Sequence, residues 1–573
     1  MPTLPTTSAS PNLCAHAGWG RFLLSAGLAV ASAVLLALAF PPVEMGMLAW
    51  VALVPLLAAP VPVTPWRRVA IGYLFGYVYF AVNLYWLNTI GFAAGFLLAL
   101  ICACFPLAWY LFATELLRRL PGGTVRTSAN SAPPRKLWEL PPLSQCTWTL
   151  AVAAAWVAQE WVRSWIFTGF SWNQLGVSQW SQTTLLPLAT VTGVYGISFL
   201  IVAGNIALFA SWARITRAFG GNRGGISWPM LMVLLLFVPV ILLLRNQPHA
   251  PSFRDAAALR AAVAQGCIPQ CREWRQEQLD DSLAAYTNLS RFAASQQPDL
   301  IVWPETAIPA GFSNPQYAAA RAKLFAEIKI PLLIGCIDYR PAVAKPDPNM
   351  ESDWLTFNSA LLLDLDGKRV QSYDKTHPVP FGEYTPFAKY LPWLEKWIGM
   401  GRGLTAGREF TIFNLPGGVK AGTMICYEDA YPGIARQFAL RGADLLITLT
   451  NDAWYAESAG SRQHLLHAVF RAVENRRPLL RAGNNSDTCL ITPKGKIENL
   501  ITDPVTGHRF VRGVRVYEIN VWHNQPLTWY AKHGDLFAEL CAALTAAGLL
   551  CFAHATWRRK HALLTKIAPE AKV

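Results

Sequence analysis

Apolar runs of bilayer length crowd the first 244 residues of this chain and recur once near its end. They lie near 22–40, 46–62, 69–91, 93–117, 147–167, 185–211, 227–244 and 534–555. A helix needs about 20 apolar residues to cross the hydrocarbon core. No water reaches backbone N–H and C=O groups there, and a helix is the one open segment that satisfies them internally. The runs therefore predict eight spans. Charged residues make up 15% of the chain, against roughly a quarter in ordinary soluble domains. This excludes a disordered chain and argues against a purely soluble one.

Basic residues in the loops predict the orientation. One side of the expected bundle carries Arg21, Arg67, Arg68, Arg118, Arg119, Arg126, Arg135, Lys136, Arg214, Arg217 and Arg223, and the tail adds Arg558, Arg559, Lys560, Lys566 and Lys572. The short loops of the other side carry only Arg163. Positive loops stay cytoplasmic, so both termini are expected inside and residues 245–533 outside, which in a bacterium is the periplasm. The net charge of +14 is then a topology signal, because 245–533 nearly balances its 32 Lys and Arg against 28 Asp and Glu. That distribution gives no sign of a nucleic-acid patch.

Three regions follow: a seven-span bundle over 1–244, a mixed polar and apolar domain over 245–533, and an eighth span with a cytoplasmic tail over 534–573. In the middle region, short apolar runs such as Leu300-Ile301-Val302-Trp303 and Leu445-Leu446-Ile447-Thr448-Leu449 alternate with helix-like segments near 276–295 and 461–477. That alternation predicts an α/β sandwich. The 11 Cys are scattered, with no disulfide framework or zinc spacing.

Three segments of this domain carry chemistry. Glu305 ends Ile301-Val302-Trp303-Pro304-Glu305. Lys375 lies in Tyr373-Asp374-Lys375-Thr376-His377, shortly before Phe381-Gly382-Glu383-Tyr384. Cys426 ends Thr423-Met424-Ile425 and precedes Tyr427-Glu428-Asp429. Side chains converge at strand ends in open α/β sheets. A thiol attacks well only as thiolate, and a carboxylate can take its proton. A lysine ammonium, with the backbone N–H of Tyr427, can stabilise the oxyanion formed at a carbonyl. Together they describe acyl transfer through a thioester. A lone cysteine is more often a buried structural thiol, a lone lysine a solvated one. It is the set of segments that outweighs those readings.

The Trp-Pro-Glu, Tyr-Asp-Lys and Cys-Tyr-Glu segments, in this order, resemble the nitrilase superfamily. With eight spans around them, the whole chain resembles the apolipoprotein N-acyltransferases. Further matching segments are Gln265-Gly266-Cys267-Ile268-Pro269-Gln270 with Trp274, Phe357-Asn358-Ser359, Asn451-Asp452-Ala453-Trp454, Gln463-His464 and Arg477-Pro478-Leu479-Leu480-Arg481. The resemblance implies an α-β-β-α nitrilase-like sandwich on a membrane helix bundle in the bacterial inner membrane. It implies ping-pong transfer of an acyl chain from a phospholipid, usually phosphatidylethanolamine, to the α-amino group of a diacylglyceryl-cysteine on an apolipoprotein. Cys426 is then the nucleophile, Glu305 the general base and acid, and Lys375 the oxyanion stabiliser. Glu383, Tyr427, Glu428, Trp274, Asn358 and Trp454 support them or bind substrate, with no metal or cofactor.

Departures from the family pattern, at Ser171, Cys267, Pro378, Tyr455, Ala456 and Ser461, lie outside the Glu–Lys–Cys trio. The same trio would also serve a membrane-tethered amidase that uses water as acceptor. An aromatic stretch at Phe387, Tyr390, Leu391, Trp393, Leu394, Trp397 and Ile398 is expected to pack as an inserted helix or to guide acyl chains. Glu160 and Arg163, three apart, are expected to pair, and Trp161, Trp165 and Trp172 to anchor the interface.

Overall fold

The computed structural model describes residues 11–62, 64–120, 136–219, 225–245, 256–270, 275–309, 311, 314–342, 354–388, 390, 393 and 403–567. The chain divides into two compact units, one of residues 1–179, 195–242 and 535–573, the other of 180–194 and 243–534.

The first unit is helical. Among the described residues, four segments are long and apolar enough to cross a bilayer: Trp19–Ala37, Ala94–Arg119, Val194–Phe219 and Leu536–Arg558. Helices Pro65–Asn83, Pro142–Arg163 and Trp228–Arg245 cover three further expected windows. The window at 46–62 differs from expectation. It breaks into Gly46–Trp50 and Val54–Ala58, with Pro55 entering the second piece. The broken backbone is satisfied by side chains rather than by helix. Asn205 accepts from Leu53 N at 2.9 Å and donates to Ala49 O at 2.7 Å, while Ser32 Oγ donates to Ala52 O and accepts from Leu56 N. Non-helical backbone at membrane depth survives where protein supplies such partners.

Two interfacial expectations are refined. Glu160 and Arg163 attract each other, but each makes its hydrogen bonds to other partners. Glu160 accepts from Leu175 N and Trp156 Nε1, both at 2.7 Å, and Arg163 donates to Phe170 O at 2.9 Å. Both charges serve the turn at 170–175. Trp165 is exposed, but Trp172 is fully buried and packs on Trp86 at 5.4 Å, so it is core rather than anchor.

The second unit holds two six-stranded sheets. The first contains β1 (Ala256–Gln265), β2 (Leu300–Val302), β3 (Leu332–Pro341), β4 (Trp354–Leu363) and β5 (Arg369–Asp374). The second contains β6 (Ile412–Asn414), β7 (Lys420–Ile425), β8 (Leu445–Thr450), β9 (Leu479–Gly483), β10 (Cys489–Ile491) and β11 (Ile497–Glu498). The last strand, β12 (Gly513–Trp522), returns to pair antiparallel with β1, giving the order β12-β1-β2-β3-β4-β5. The other sheet runs β11-β10-β9-β8-β7-β6. Each has three parallel central strands, β1-β2-β3 and β7-β8-β9, flanked by antiparallel ones. Parallel strands are covered on both faces and read as continuous apolar runs; every residue of β2 and β8 is buried.

The sheets meet through β1 against β9 and β4 against β7. Helices Gln276–Ala294 and Ala318–Ile328 cover the first sheet, with Tyr286, Leu324 and Phe325 packed on Ile301, Trp303 and Ile334. Helices Pro432–Leu440 and Ala459–Asn475 pack in the half built on the second sheet. The order is the expected α-β-β-α sandwich.

Candidate active site

Glu305, Lys375 and Cys426 follow β2, β5 and β7, and the fold brings the three strand ends together. Pro304 lacks the N–H that would extend β2. Trp303 anchors the exit by stacking on Tyr286 at 5.1 Å and donating Nε1 to Ser290 Oγ at 2.9 Å. Gly335 on β3 lets the Glu305 backbone pass: a Cβ there would stand 2.4 Å from Pro304 O and 2.6 Å from Glu305 Cα. Lys375 is pinned at the end of β5 by its N–H to Asn358 O and its carbonyl to Gly407 N, both 2.8 Å.

The side chains form one connected set. Lys375 Nζ lies 2.8 Å from Glu383 Oε1 and 3.5 Å from Glu305 Oε1. Asn358 Nδ2 donates to both carboxylates, at 2.7 Å to Glu305 and 3.0 Å to Glu383. Asn451 N holds the other oxygen of Glu305 at 2.9 Å, and Val379 N the other oxygen of Glu383 at 2.6 Å. Glu305 and Thr450 both lie within interaction range of the Cys426 thiol. Cys426, Glu305 and Lys375 are only 8%, 6% and 1% exposed.

Electrostatics follow from that burial. Burial and then the Glu305 carboxylate push the Cys426 thiol well above its ordinary pKa, with Lys375 pulling back. Burial raises Glu305, Lys375 lowers it, and Glu383 raises it; the result is a carboxyl above the usual range. Burial alone would lower Lys375, but Glu383, Glu305 and Cys426 outweigh it and hold the ammonium charged. A carboxylate within reach of a protonated thiol is placed to accept its proton.

Glu428 ties two of the strand ends together. Its carboxylate accepts from Ile425 N at 2.8 Å, Thr376 N at 2.7 Å, His377 N at 3.1 Å, Thr376 Oγ1 at 2.7 Å and Tyr373 OH at 2.8 Å. The lysine loop is thereby bolted to the cysteine turn. Tyr427 packs edge-on against Tyr431 at 5.1 Å, and His377 lies over Tyr431 at 4.1 Å. Burial, then Lys375, draw His377 down to about 4, so its ring is neutral near pH 7.

The match to a known family is extensive. The description "Apolipoprotein N-acyltransferase N-terminal domain" fits residues 32–207, and "Carbon-nitrogen hydrolase" fits 260–504, which contains all three strand-end residues. The apolipoprotein N-acyltransferase of Geobacter metallireducens is 32% identical over 538 residues, covering 93% of this chain and 95% of its own. This chain belongs to the apolipoprotein N-acyltransferase family. Its relative in Pseudomonas syringae is 33% identical over 384 residues, covering 66% of this chain and 72% of that one. Among solved structures, an amidase from Nesterenkonia sp. aligns over 95% of its chain and 49% of this one, at 19% identity and a TM-score of 0.33.

Against the family pattern, the fold gathers Glu383, Asn358 and Glu428 around the trio, with Tyr427 next to Cys426. Trp454 stands apart, 42% exposed in the turn Asp452–Tyr455. Trp274 lies outside the described residues, as do Leu391, Leu394, Trp397 and Ile398 of the aromatic stretch. Phe387, Tyr390 and Trp393 are exposed.

Two features had no sequence signal. Cys426 has φ +52°, a left-handed conformation that non-glycine residues rarely adopt. Thr450, at the end of an apolar strand, reaches the thiol. The donor atoms of Cys426, Asp452 and His464 lie within 4.8 Å of one another, a spacing a metal ion could use. Both His464 nitrogens are already engaged, however, Nδ1 by Asp452 at 2.9 Å and Nε2 by Cys426 O at 3.2 Å. The cluster therefore reads as an ion-pair network.

Proposed function

We propose that this chain carries an acyl group from a phospholipid, through a thioester on Cys426, to the α-amino group of a diacylglyceryl-cysteine at an apolipoprotein N-terminus. That it is an acyltransferase of lipoprotein maturation, with lipid and lipoprotein substrates, rests on its family. The finer reading is carried by one observation: Glu305, Lys375 and Cys426 meet, buried, at three strand ends, with the thiol within interaction range of the carboxylate.

Glu305 takes the thiol proton as Sγ attacks the ester carbonyl carbon. The oxyanion forms against the Lys375 ammonium and the Tyr427 N–H. Collapse breaks the acyl–oxygen bond, and Glu305 returns its proton to the departing lysophospholipid oxygen. In the second half, the acceptor amine attacks the thioester carbonyl and gives its proton to Glu305, which passes it to the expelled sulfur. Glu383 fixes Lys375, Asn358 spaces the two carboxylates, and Glu428 holds the lysine loop to the cysteine turn. Trp274 and Trp454 are assigned to substrate contact. No cofactor enters these steps.

The charge asymmetry supports eight spans in a bacterial inner membrane, both termini cytoplasmic, with 245–533 as the periplasmic catalytic domain between a seven-span bundle and the last span. Phosphatidylethanolamine is the expected donor.

The test is incubation of the purified protein with radiolabelled phosphatidylethanolamine, followed by a diacylated lipopeptide. The expected result is a hydroxylamine-labile label on the protein that moves to the lipopeptide. A label that is only released to water would identify a hydrolase, and no label at all would sink the thioester route. Gly335→Ala supplies a second check. Its Cβ collides with Pro304 and Glu305 backbone, so it should cost about 1–3 kcal/mol in stability. It should also slow thioester formation, as read by denaturant unfolding and single-turnover labelling.

A further inference from the structure

Behind the nucleophile lies a second set of charges that none of these steps uses. Asp429 comes from the turn after β7, Asp452 from the turn after β8, His464 from helix Ala459–Asn475, and Arg481 from β9; all four are wholly buried. Arg481 Nη1 lies 2.7 Å from Asp429 Oδ2, and Nη2 2.9 Å from Asp452 Oδ2. His464 Nδ1 lies 2.9 Å from Asp452 Oδ1, and Nε2 2.9 Å from Asp429 Oδ1. Each carboxylate bridges the same two cations, closing a ring of four.

With His464 protonated the ring is neutral, two negative groups against two positive. Burial draws the imidazole down, but Asp429 and Asp452 outweigh it and hold its pKa at about 9. Asp452, despite burial, is held well below the ordinary carboxylate range by His464 and Arg481. Buried charges persist only when paired in this way.

The ring reaches the nucleophile at two points. His464 Nε2 is 3.2 Å from Cys426 O. Thr450 Oγ1 donates to Asp452 Oδ1 at 2.8 Å and also touches the Cys426 thiol. Between them on the chain, Asn451 N holds Glu305. The far end of the same turn is gripped by another buried cation: Arg471 Nη1 lies 3.3 Å from Asp429 O and 3.2 Å from Ala430 O. A left-handed non-glycine residue costs roughly 1–3 kcal/mol and persists only where its surroundings hold it. Cys426 is such a residue, and its carbonyl is where the ring makes contact. His464 turns Nε2 to that carbonyl and Nδ1 to Asp452 and Arg481, so both ring nitrogens are engaged away from the thiol and it is not the base of a Cys–His pair.

We infer that Asp429, Asp452, His464 and Arg481 form a positioning device that holds Cys426 in its left-handed turn with Sγ toward Glu305, His464 being its contact with the nucleophile. This rests on Cys426 being the nucleophile.

The test is single-turnover thioester formation by the full-length protein in mixed micelles with labelled phosphatidylethanolamine. The amplitude reports the folded fraction; the rate constant reports positioning. Labelling of the wild type checks the nucleophile itself, so the two readings fail separately. His464→Ala should lower the rate constant by about 100-fold, the scale of a small misplacement of a reacting group, with KM for the donor unchanged. His464→Gln, whose amide can still donate to Cys426 O, should recover about ten-fold of that loss. An unchanged rate constant at reduced amplitude would mean a purely structural ring and overturn the inference. So would equal slowing in His464→Ala and His464→Gln. If His464→Ala does not accumulate, Thr450→Val, which keeps shape and removes the hydroxyl, should slow the step about ten-fold at full amplitude; no slowing counts against the device.

Discussion

Cys426→Ser is expected to leave no acyl-enzyme and to slow lipopeptide acylation by about 10⁴-fold or more, the scale seen when a nucleophile is removed. The replacement is nearly isosteric and keeps a polar group within reach of Glu305 and Thr450, so the fold should survive. What fails is proton transfer. Burial raises Glu305 above the usual carboxylate range, but an alcohol is intrinsically a far weaker acid than a thiol. A serine hydroxyl therefore stays protonated when the carbonyl arrives. Thermal unfolding should match the wild type within a few degrees while the hydroxylamine-labile label disappears. Persistence of that label in Cys426→Ser would place the thioester on another cysteine. Among the described residues of the sandwich unit the alternatives are poor: Cys336 and Cys489 are buried in strands, and Cys267 is only partly exposed.

Glu305 and Cys426 were legible in the sequence because each ends an apolar run that marks a strand running into a polar crevice, whereas Lys375 follows the largely polar run Arg369–Asp374 and was legible only through the set of segments it belongs to. Glu428 was legible for the same reason. Asp429, His464 and Arg481 fall in segments that stand out in the sequence, but the ring that joins them was not legible, since it depends on residues up to 52 positions apart meeting in a buried layer; separately each looks like a turn acid, a helix histidine or a strand-end arginine. The left-handed Cys426 had no signal, because no glycine marks it. In the helical unit, the run at 46–62 looked like a short span, and its break just before Pro55, between Trp50 and Val54, was hidden by the partner that repairs it, Asn205, more than 150 residues away. Trp172 was misjudged because an aromatic beside a polar turn suits an interface and a core equally well until packing on Trp86 decides it.

Lys375→Ala is expected to act twice. It removes a donor aimed at the oxyanion, a loss of about 10²–10³-fold in rate. It also strips the counter-charge from two carboxylates that share Asn358 Nδ2. Lys375 is the group that lowers Glu305, opposing both burial and Glu383. Without it the pKa of Glu305 rises further, and the base is protonated over more of the neutral range. The sign is definite: the acid limb of the pH–rate profile moves to higher pH, so the defect is deepest at low pH and shrinks as pH rises. Adding Glu383→Gln removes the neighbouring negative charge and should return the limb toward its wild-type position, while the lost oxyanion donor keeps the rate low. That split separates the two roles of Lys375. A uniform rate loss with an unmoved limb would confine Lys375 to the oxyanion, and activity within about ten-fold of wild type, less than one oxyanion donor is worth, would remove it from the chemistry.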